Sequence, residues 1–183
     1  MAAIGGAIAA ENVRVRRATG DDIAFMLEVV THEDVRPFLG ARAAFDESGL
    51  AEELERQKRE PAAFGRFVIE VRDGEWRRAG TLGFERTSEH NRIAHLERLA
   101  VHPDFRGRRV ADRAAVLFQR HLVRDLGFHR LEMTVYGFNE RALAHAERVG
   151  WVREGVKRKA YWRRDEWVDG ITFGIIDDDL MED

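Results

Sequence analysis

The 183-residue sequence has no cysteine, which removes disulfide scaffolds, thiolate metal sites, cysteine nucleophiles and CxxC redox chemistry together. That absence fits a reducing, cytoplasmic location. Proline is scarce, with only Pro37, Pro61 and Pro103. Lysine is equally rare: Lys58, Lys157 and Lys159 are the only ones among 30 basic residues, so nearly all positive charge is arginine. No run approaches the roughly 18 apolar residues of a membrane span. Residues 1–12 lack the basic start and long apolar core of a signal peptide and read as a disordered tail. The formal charge of −3 makes wholesale nucleic-acid binding unlikely.

That modest total hides an uneven distribution. Residues 1–60 carry a net −4, residues 61–126 a net +4 and residues 127–183 a net −3. An anionic ligand is therefore expected at the middle third. Hydrophobic periodicity gives one domain over residues 13–183. Val13 and Val15 alternate as a strand, and Thr19 to Asp22 offer a cap for a helix over Ile23–Val30. His32–Phe38 and Ala43–Ser48 look irregular, and Leu50–Glu60 is a charged helix stopped by Pro61. Strands follow at Phe67–Val71, Gly80–Glu85 and Ile93–Val101, with an Asp73-Gly74 turn between the first two. A long amphipathic helix spans Arg108–Leu126 before Gly127. Leu131–Tyr136 is a strand, Asn139 caps a helix through Val149, and Trp151–Val156 and Trp167–Ile176 are the last strands. The order implies a mixed α/β or α+β domain.

Arg106, Arg108 and Arg109 crowd the start of the long helix, next to Gly107. Cations at a helix N-terminus oppose its dipole, each at about 0.3–1 kcal/mol, unless a polyanion sits on the turn. The competing account is a solvated charged helix start. No GxxxxGK[ST] and no GxGxxG is present, so neither a P-loop nor a dinucleotide fingerprint applies. None of the seven histidines shows metal-ligand spacing, and no metal is expected.

Leu96 to Arg108, with the run Arg106-Gly107-Arg108-Arg109-Val110-Ala111, resembles the central motif of the GNAT superfamily of acyl-CoA N-acyltransferases. The family pattern is Arg/Gln-x-x-Gly-x-Gly/Ala. Arg109 stands where its central glycine belongs, either one residue into the helix with easy geometry or at a cost to cofactor binding. Asn139-Glu140-Arg141-Ala142, followed by Gly150-Trp151 and Glu154-Gly155, resembles the family's later helix and strand entry. Trp167 to Thr172 is similar to the branch acetylating ribosomal-protein N-termini and polyamines.

The resemblance implies the GNAT fold: a twisted, mostly antiparallel mixed sheet of about six to seven strands with about four helices. It implies acetyl-CoA as co-substrate, a primary amine as acceptor and a homodimer as one open arrangement. Leu99, Ala100 and Val101 would meet the pantetheine arm and thioester. Arg106, Gly107, Arg108, Arg109, Val110 and Ala111 would hold phosphates, with Asn139 assisting. An alkylammonium near pKa 10.4 is only about one part in a thousand free base near pH 7.4, so a base is useful. Two-residue alternation puts His95, Glu97, Leu99 and Val101 on one strand face. Glu97 is the first candidate base and His95 the second; the alternative is a salt bridge from Glu97 to a neighbouring arginine, with His95 half-exposed. The family's usual acidic tyrosine is replaced by Ala146, with Tyr136 as a substitute or simply a cleft wall. Trp162 and Trp167 flank a hairpin, either lining the acceptor site or packing as ordinary strand residues. Glu33, Asp34, Asp46, Glu47, Glu52, Glu53 and Glu55 would suit a cationic acceptor, or are plain surface charge. A non-catalytic acyl-CoA sensor with the same fold is the alternative function.

Overall fold

Val13 and Val15 open the first strand, β1 (Val13–Arg17), and the chain leaves it at Thr19, whose N–H donates to the Asp22 carboxylate at 2.8 Å. That bond ties the turn ahead of α1 (Ile23–Thr31). The computed structural model describes residues 12–40 and 46–180. The expected tail lies, apart from Asn12, outside the described residues, as do Ala43 to Phe45 of the irregular segment. Asp46 caps α2 (Glu47–Arg59) by accepting from the Gly49 N–H at 2.7 Å, starting this helix three residues earlier than the apolar pattern does.

β2 (Phe64–Asp73) and β3 (Glu75–Ser88) form a hairpin around Gly74, whose φ of +76° suits glycine. Both outrun their expected lengths. β2 is buried on both faces, so its continuous apolar run shows no clean alternation. β4 (Ile93–Val101), α3 (Val110–Arg120), β5 (Arg130–Tyr136), α4 (Glu140–Arg148), β6 (Val152–Arg163) and β7 (Glu166–Ile176) complete the fold. The long helix starts two residues late and passes into a π-turn at His121–Asp125 before Gly127. β6 runs well past Val156 because a bulge, with Lys159 at φ +47°, breaks its alternation.

The seven strands form one sheet in the order β1-β2-β3-β4-β5-β7-β6. All neighbours are antiparallel except β4 and β5, which α3 connects as a parallel pair. This is the expected α+β GNAT fold. Phe67, Phe84 and Phe118 pack with Leu122, Leu131 and Ile175 on the face that carries α3 and α4. Burying each phenylalanine contributes about 1.5–3 kcal/mol. Val68, Met26, Leu50 and Leu54 form a smaller cluster under α1 and α2.

One feature of the sheet positions everything below. β4 and β5 share only three register pairs, Ile93–Arg130, Ala94–Leu131 and His95–Glu132, although both strands continue several residues further. Beyond His95 they part, and the starts of α3 and α4 lie at the open end.

Candidate active site

The parted strands line a cleft of about 800 Å³. On its wall β4 carries one residue more than β3: Gly83 pairs with Glu97, but Thr81 pairs with Ala100. Arg98 takes up the excess in the left-handed region, at φ +59°. The bulge overturns the simple alternation expected here, because Leu99 and Val101 no longer continue the face set by His95 and Glu97. All of His95, Glu97, Leu99, Ala100 and Val101 nevertheless line the cleft. Gly80 allows the close approach: a Cβ there would lie 2.4 Å from the Ala100 carbonyl oxygen.

At the open end, Arg106, Gly107, Arg109, Val110 and Ala111 also line the cleft. Gly107 has φ +76°, and a Cβ on it would meet nothing within 4 Å, so the backbone faces open space. Arg109 is the N-cap of α3 at φ 55°, ψ 24°. It therefore does not sit one easy residue into the helix. The glycine of the family pattern has a conformational reason here, and an arginine in that conformation costs about 1–2 kcal/mol. Arg106 donates to the Val101 carbonyl at 3.4 Å and pairs with Asp34 at 3.2 Å. Arg108 differs from expectation: it is not among the lining residues, and its guanidinium lies 5.9 Å from the Phe105 ring centroid. Asn139 lines the cleft and accepts from the Ala142 N–H at 3.2 Å, fixing the start of α4.

The two candidate bases have different surroundings. Arg66 Nη2 lies 2.8 Å from Glu97 Oε1, so the salt bridge weighed as the alternative is present. Arg66 is itself nearly fully buried and also holds Glu53, which Arg98 clasps from the other side. Burial pushes the His95 imidazole below its ordinary value, against the nearby charges of Glu97 and Glu132. A neutral imidazole can accept a proton.

Asp112 on α3 and His145 on α4 meet across the cleft at 2.9 Å, and Arg148 donates to the same carboxylate at 2.7 and 2.8 Å. The Arg148 bonds, with help from His145, hold Asp112 down to about 2. Sequence reasoning missed this trio, because its members lie about 35 positions apart. Helical spacing offered a signal only for His145 and Arg148. Arg66, which holds Glu97, and the lining residue Lys157 were missed for the same reason.

Ala146 is fully buried in the core and does not line the cleft. Tyr136 does, with its ring stacked on Phe138 at 5.6 Å and its hydroxyl accepting from Arg163. Trp162 and Trp167 pair across the β6–β7 hairpin, 5.3 Å apart, and both are exposed rather than lining the cleft. Of the acidic residues expected to serve a cationic acceptor, Asp34 alone lines it. Glu33 follows α1, the rest belong to α2 and its cap, and Glu53 is already held by Arg66 and Arg98.

Residues 12–152 match the acetyltransferase (GNAT) domain family. A curated relative, the SPbeta prophage-derived uncharacterized N-acetyltransferase YokL of Bacillus subtilis (strain 168), is 31% identical over 77 residues, 42% of this chain. That match spans 44% of the relative's length, less than half. Among solved structures, spermidine N-acetyltransferase from Vibrio cholerae in complex with CoA and spermine superposes with a TM-score of 0.81 at 18% identity. The superposition covers 94% of this chain and 99% of that one. Ribosomal-protein-S5-alanine acetyltransferase from Vibrio fischeri gives 0.77 at 19% identity, over 92% and 95%. At these identities the structural matches establish the fold. By its family match over most of its length, the chain belongs to the acetyltransferase (GNAT) domain family.

Proposed function

We propose that this chain moves an acetyl group from acetyl-CoA to a primary amine by direct attack, with His95 as general base and Glu97 binding the acceptor's ammonium. The observation that carries this is the parting of β4 and β5 after His95, with the bulge on one wall and the start of α3 at the open end.

The residues present fit acetyl-CoA. Gly107 leaves room for a phosphate against backbone, and Arg106 and Arg109 supply positive charge at the helix start. When bound, acetyl-CoA supplies the thioester whose C–S bond is broken. Backbone N–H groups beyond the bulge, at Leu99 to Val101, are placed to hold the chain and to donate to the thioester oxygen. His95 would take one proton from the bound ammonium, freeing the nitrogen lone pair that bonds to the acetyl carbon, and the second proton would pass from that nitrogen to the departing thiolate as the C–S bond breaks. The order of the bases is thus the reverse of the sequence-based one, since Arg66 engages Glu97 while burial keeps His95 neutral. Thiolate is a fair leaving group, free thiols having pKa near 8.5, so transfer does not require an acid at Ala146. Tyr136, Tyr161 and Thr134 are the hydroxyl-bearing residues of the wall among the described residues.

The proposal includes a cytoplasmic homodimer. The outer strand β6 exposes Val152, Val156 and Trp162 beside Trp167, a surface suited to a second copy. Among the described residues no helix is long and apolar enough to cross a membrane.

Calorimetry with acetyl-CoA, followed by a thiol-release assay against an amine panel, tests the transfer. Binding and amine-dependent release are expected; absence of acetyl-CoA binding overturns the proposal. A His95→Ala/Glu97→Gln double variant that keeps CoA affinity and an unchanged weak turnover would favour the non-catalytic sensor.

A further inference from the structure

The acceptor side of the cleft has an electrostatic character that the composition does not announce. Among the described residues, the lining of the whole cleft holds Arg98, Arg106, Arg109, Arg141, Arg148 and Lys157 against Asp34, Glu97 and Asp112 as carboxylates. Each of those carboxylates already has a cation: Arg106 for Asp34, Arg66 for Glu97, and Arg148 for Asp112. Arg106, Arg109, Arg141 and Arg148 belong to the segments that begin α3 and α4 or to those helices, on the phosphate side. Lys157 does not. It comes from β6, immediately before the bulge that Asp169 fixes by accepting the Lys159 N–H at 2.7 Å. It is close enough to His95 for its charge to act on that imidazole.

The aromatic surfaces beside it are also taken. Arg163 lies 4.9 Å from the Tyr136 ring centroid and donates to its hydroxyl. Arg164 lies 4.1 Å from the Phe138 centroid and 5.3 Å from that of Phe38. Tyr136 and Phe38 are themselves lining residues, so Arg163 and Arg164, which do not line the cleft, flank it through those rings. Among the described residues, no carboxylate pairs with Lys157, Arg163 or Arg164. Glu132, on the facing strand, is held by Arg130 at 2.8 Å.

A polycation binds through free carboxylates and free aromatic faces. In this chain arginines engage every lining carboxylate among the described residues and flank the Tyr136 and Phe38 rings, so that only Glu97, its side chain still 31% exposed beside Arg66, is left to meet a single ammonium, while Lys157, Arg163 and Arg164 have no carboxylate partner. We infer that the acceptor is a primary amine bearing its own anionic group, a carboxylate or a phosphate-like oxyanion, which Lys157 and the flanking Arg163 and Arg164 receive while Glu97 and His95 receive the amine. This inference rests on the transferase proposal and names its substrate class. It separates this chain from its structural neighbour crystallised with spermine, whose acceptor is a polycation.

The test is a thiol-release assay on the full chain with three acceptors of similar reach, 4-aminobutyrate, 3-aminopropylphosphonate and n-butylamine, and with the longer polycation spermidine. Acetyl-CoA binding is measured by calorimetry on the same preparation. We expect at least one anionic amine to exceed both n-butylamine and spermidine by about tenfold or more in kcat/KM, the force of one charge-assisted contact. The carboxylate and phosphonate arms tell the two oxyanions apart. Lys157→Glu and Arg164→Glu replace exposed side chains, and each should cut the ratio of anionic amine to spermidine by tenfold or more. Circular dichroism confirms that the variants fold. Bound acetyl-CoA with spermidine preferred, or a ratio unmoved by both charge reversals, overturns this inference alone. Failure to bind acetyl-CoA overturns the transferase proposal beneath it.

Discussion

Arg66 and Glu97 face each other at 2.8 Å from adjacent regions of the sheet, and the pair divides labour between the two candidate bases. Arg66 is almost wholly buried, so its charge is directed at Glu97 and Glu53 rather than at water. His95, two residues before Glu97, has no such cation bonded to it and is held neutral by burial.

His95→Gln is expected to lower kcat by about 10²–10⁴-fold, the usual worth of a positioned base. Glu97→Gln should act mainly on KM for the amine. The pH profile of kcat carries the sign: protonated His95 cannot accept a proton, so the rate falls as pH drops through its lowered value. The acidic limb should therefore lie below the ordinary 6.5 and disappear in His95→Gln. Steady-state rates between pH 5 and 8 check this.

Arg109→Gly should relieve the left-handed cap of α3 and raise stability by about 1 kcal/mol in urea denaturation. The same change removes a cation from the cofactor end, so the dissociation constant for acetyl-CoA should rise several-fold. Stability and affinity moving in opposite directions is the signature to look for.

Asp22 is fully buried between Arg16 and Arg78, at 2.7 Å from each. Burial pushes its carboxyl up, but the bonds from Arg16, the Thr19 N–H and Arg78 outweigh that and leave it well below the usual carboxylate range. A depressed carboxyl contributes stability above its unfolded value of 3.8, lost as pH falls through the folded one. Asp22→Asn should cost about 3–5 kcal/mol at pH 7 and flatten the acid side of the stability curve. Denaturant midpoints from about pH 2 to 7 measure both.

Gly80→Ala would push a methyl against the Ala100 carbonyl, 2.4 Å from the ideal Cβ position. We expect a loss of about 1–3 kcal/mol and weaker acetyl-CoA binding, because the displaced strand is the one with the bulge. Thermal melts with and without acetyl-CoA would separate the two effects.

Local signals served the sequence reading well where one residue does one job. Asn139 as a cap, Gly74 as a turn and the alternation of β5 all appear as expected. Alternation failed where bulges insert residues, at Arg98 and Lys159, since neither residue type marks itself as left-handed. The phosphate-side residues were visible because they are contiguous. Asp112, His145 and Lys157 were not, because only the fold brings them to one cleft, and neither was Arg66, buried behind Glu97. The acidic first third misled for a related reason: charge counted along a chain does not say which face it occupies, and most of these carboxylates turn away from the cleft or meet an arginine.

The three-pair seam between β4 and β5 has a consequence for how the molecule holds itself together. Strands β1 to β4 and strands β5 to β7 are two half-sheets sharing a short stitch. Anything with amide groups lying in the gap would extend that stitch, acting as a borrowed strand. At about 100 times its dissociation constant, such a ligand adds about 2.7 kcal/mol to folding. Acetyl-CoA would then be a splint as well as a reactant, and the enzyme would be mechanically softest between turnovers, when the gap is empty.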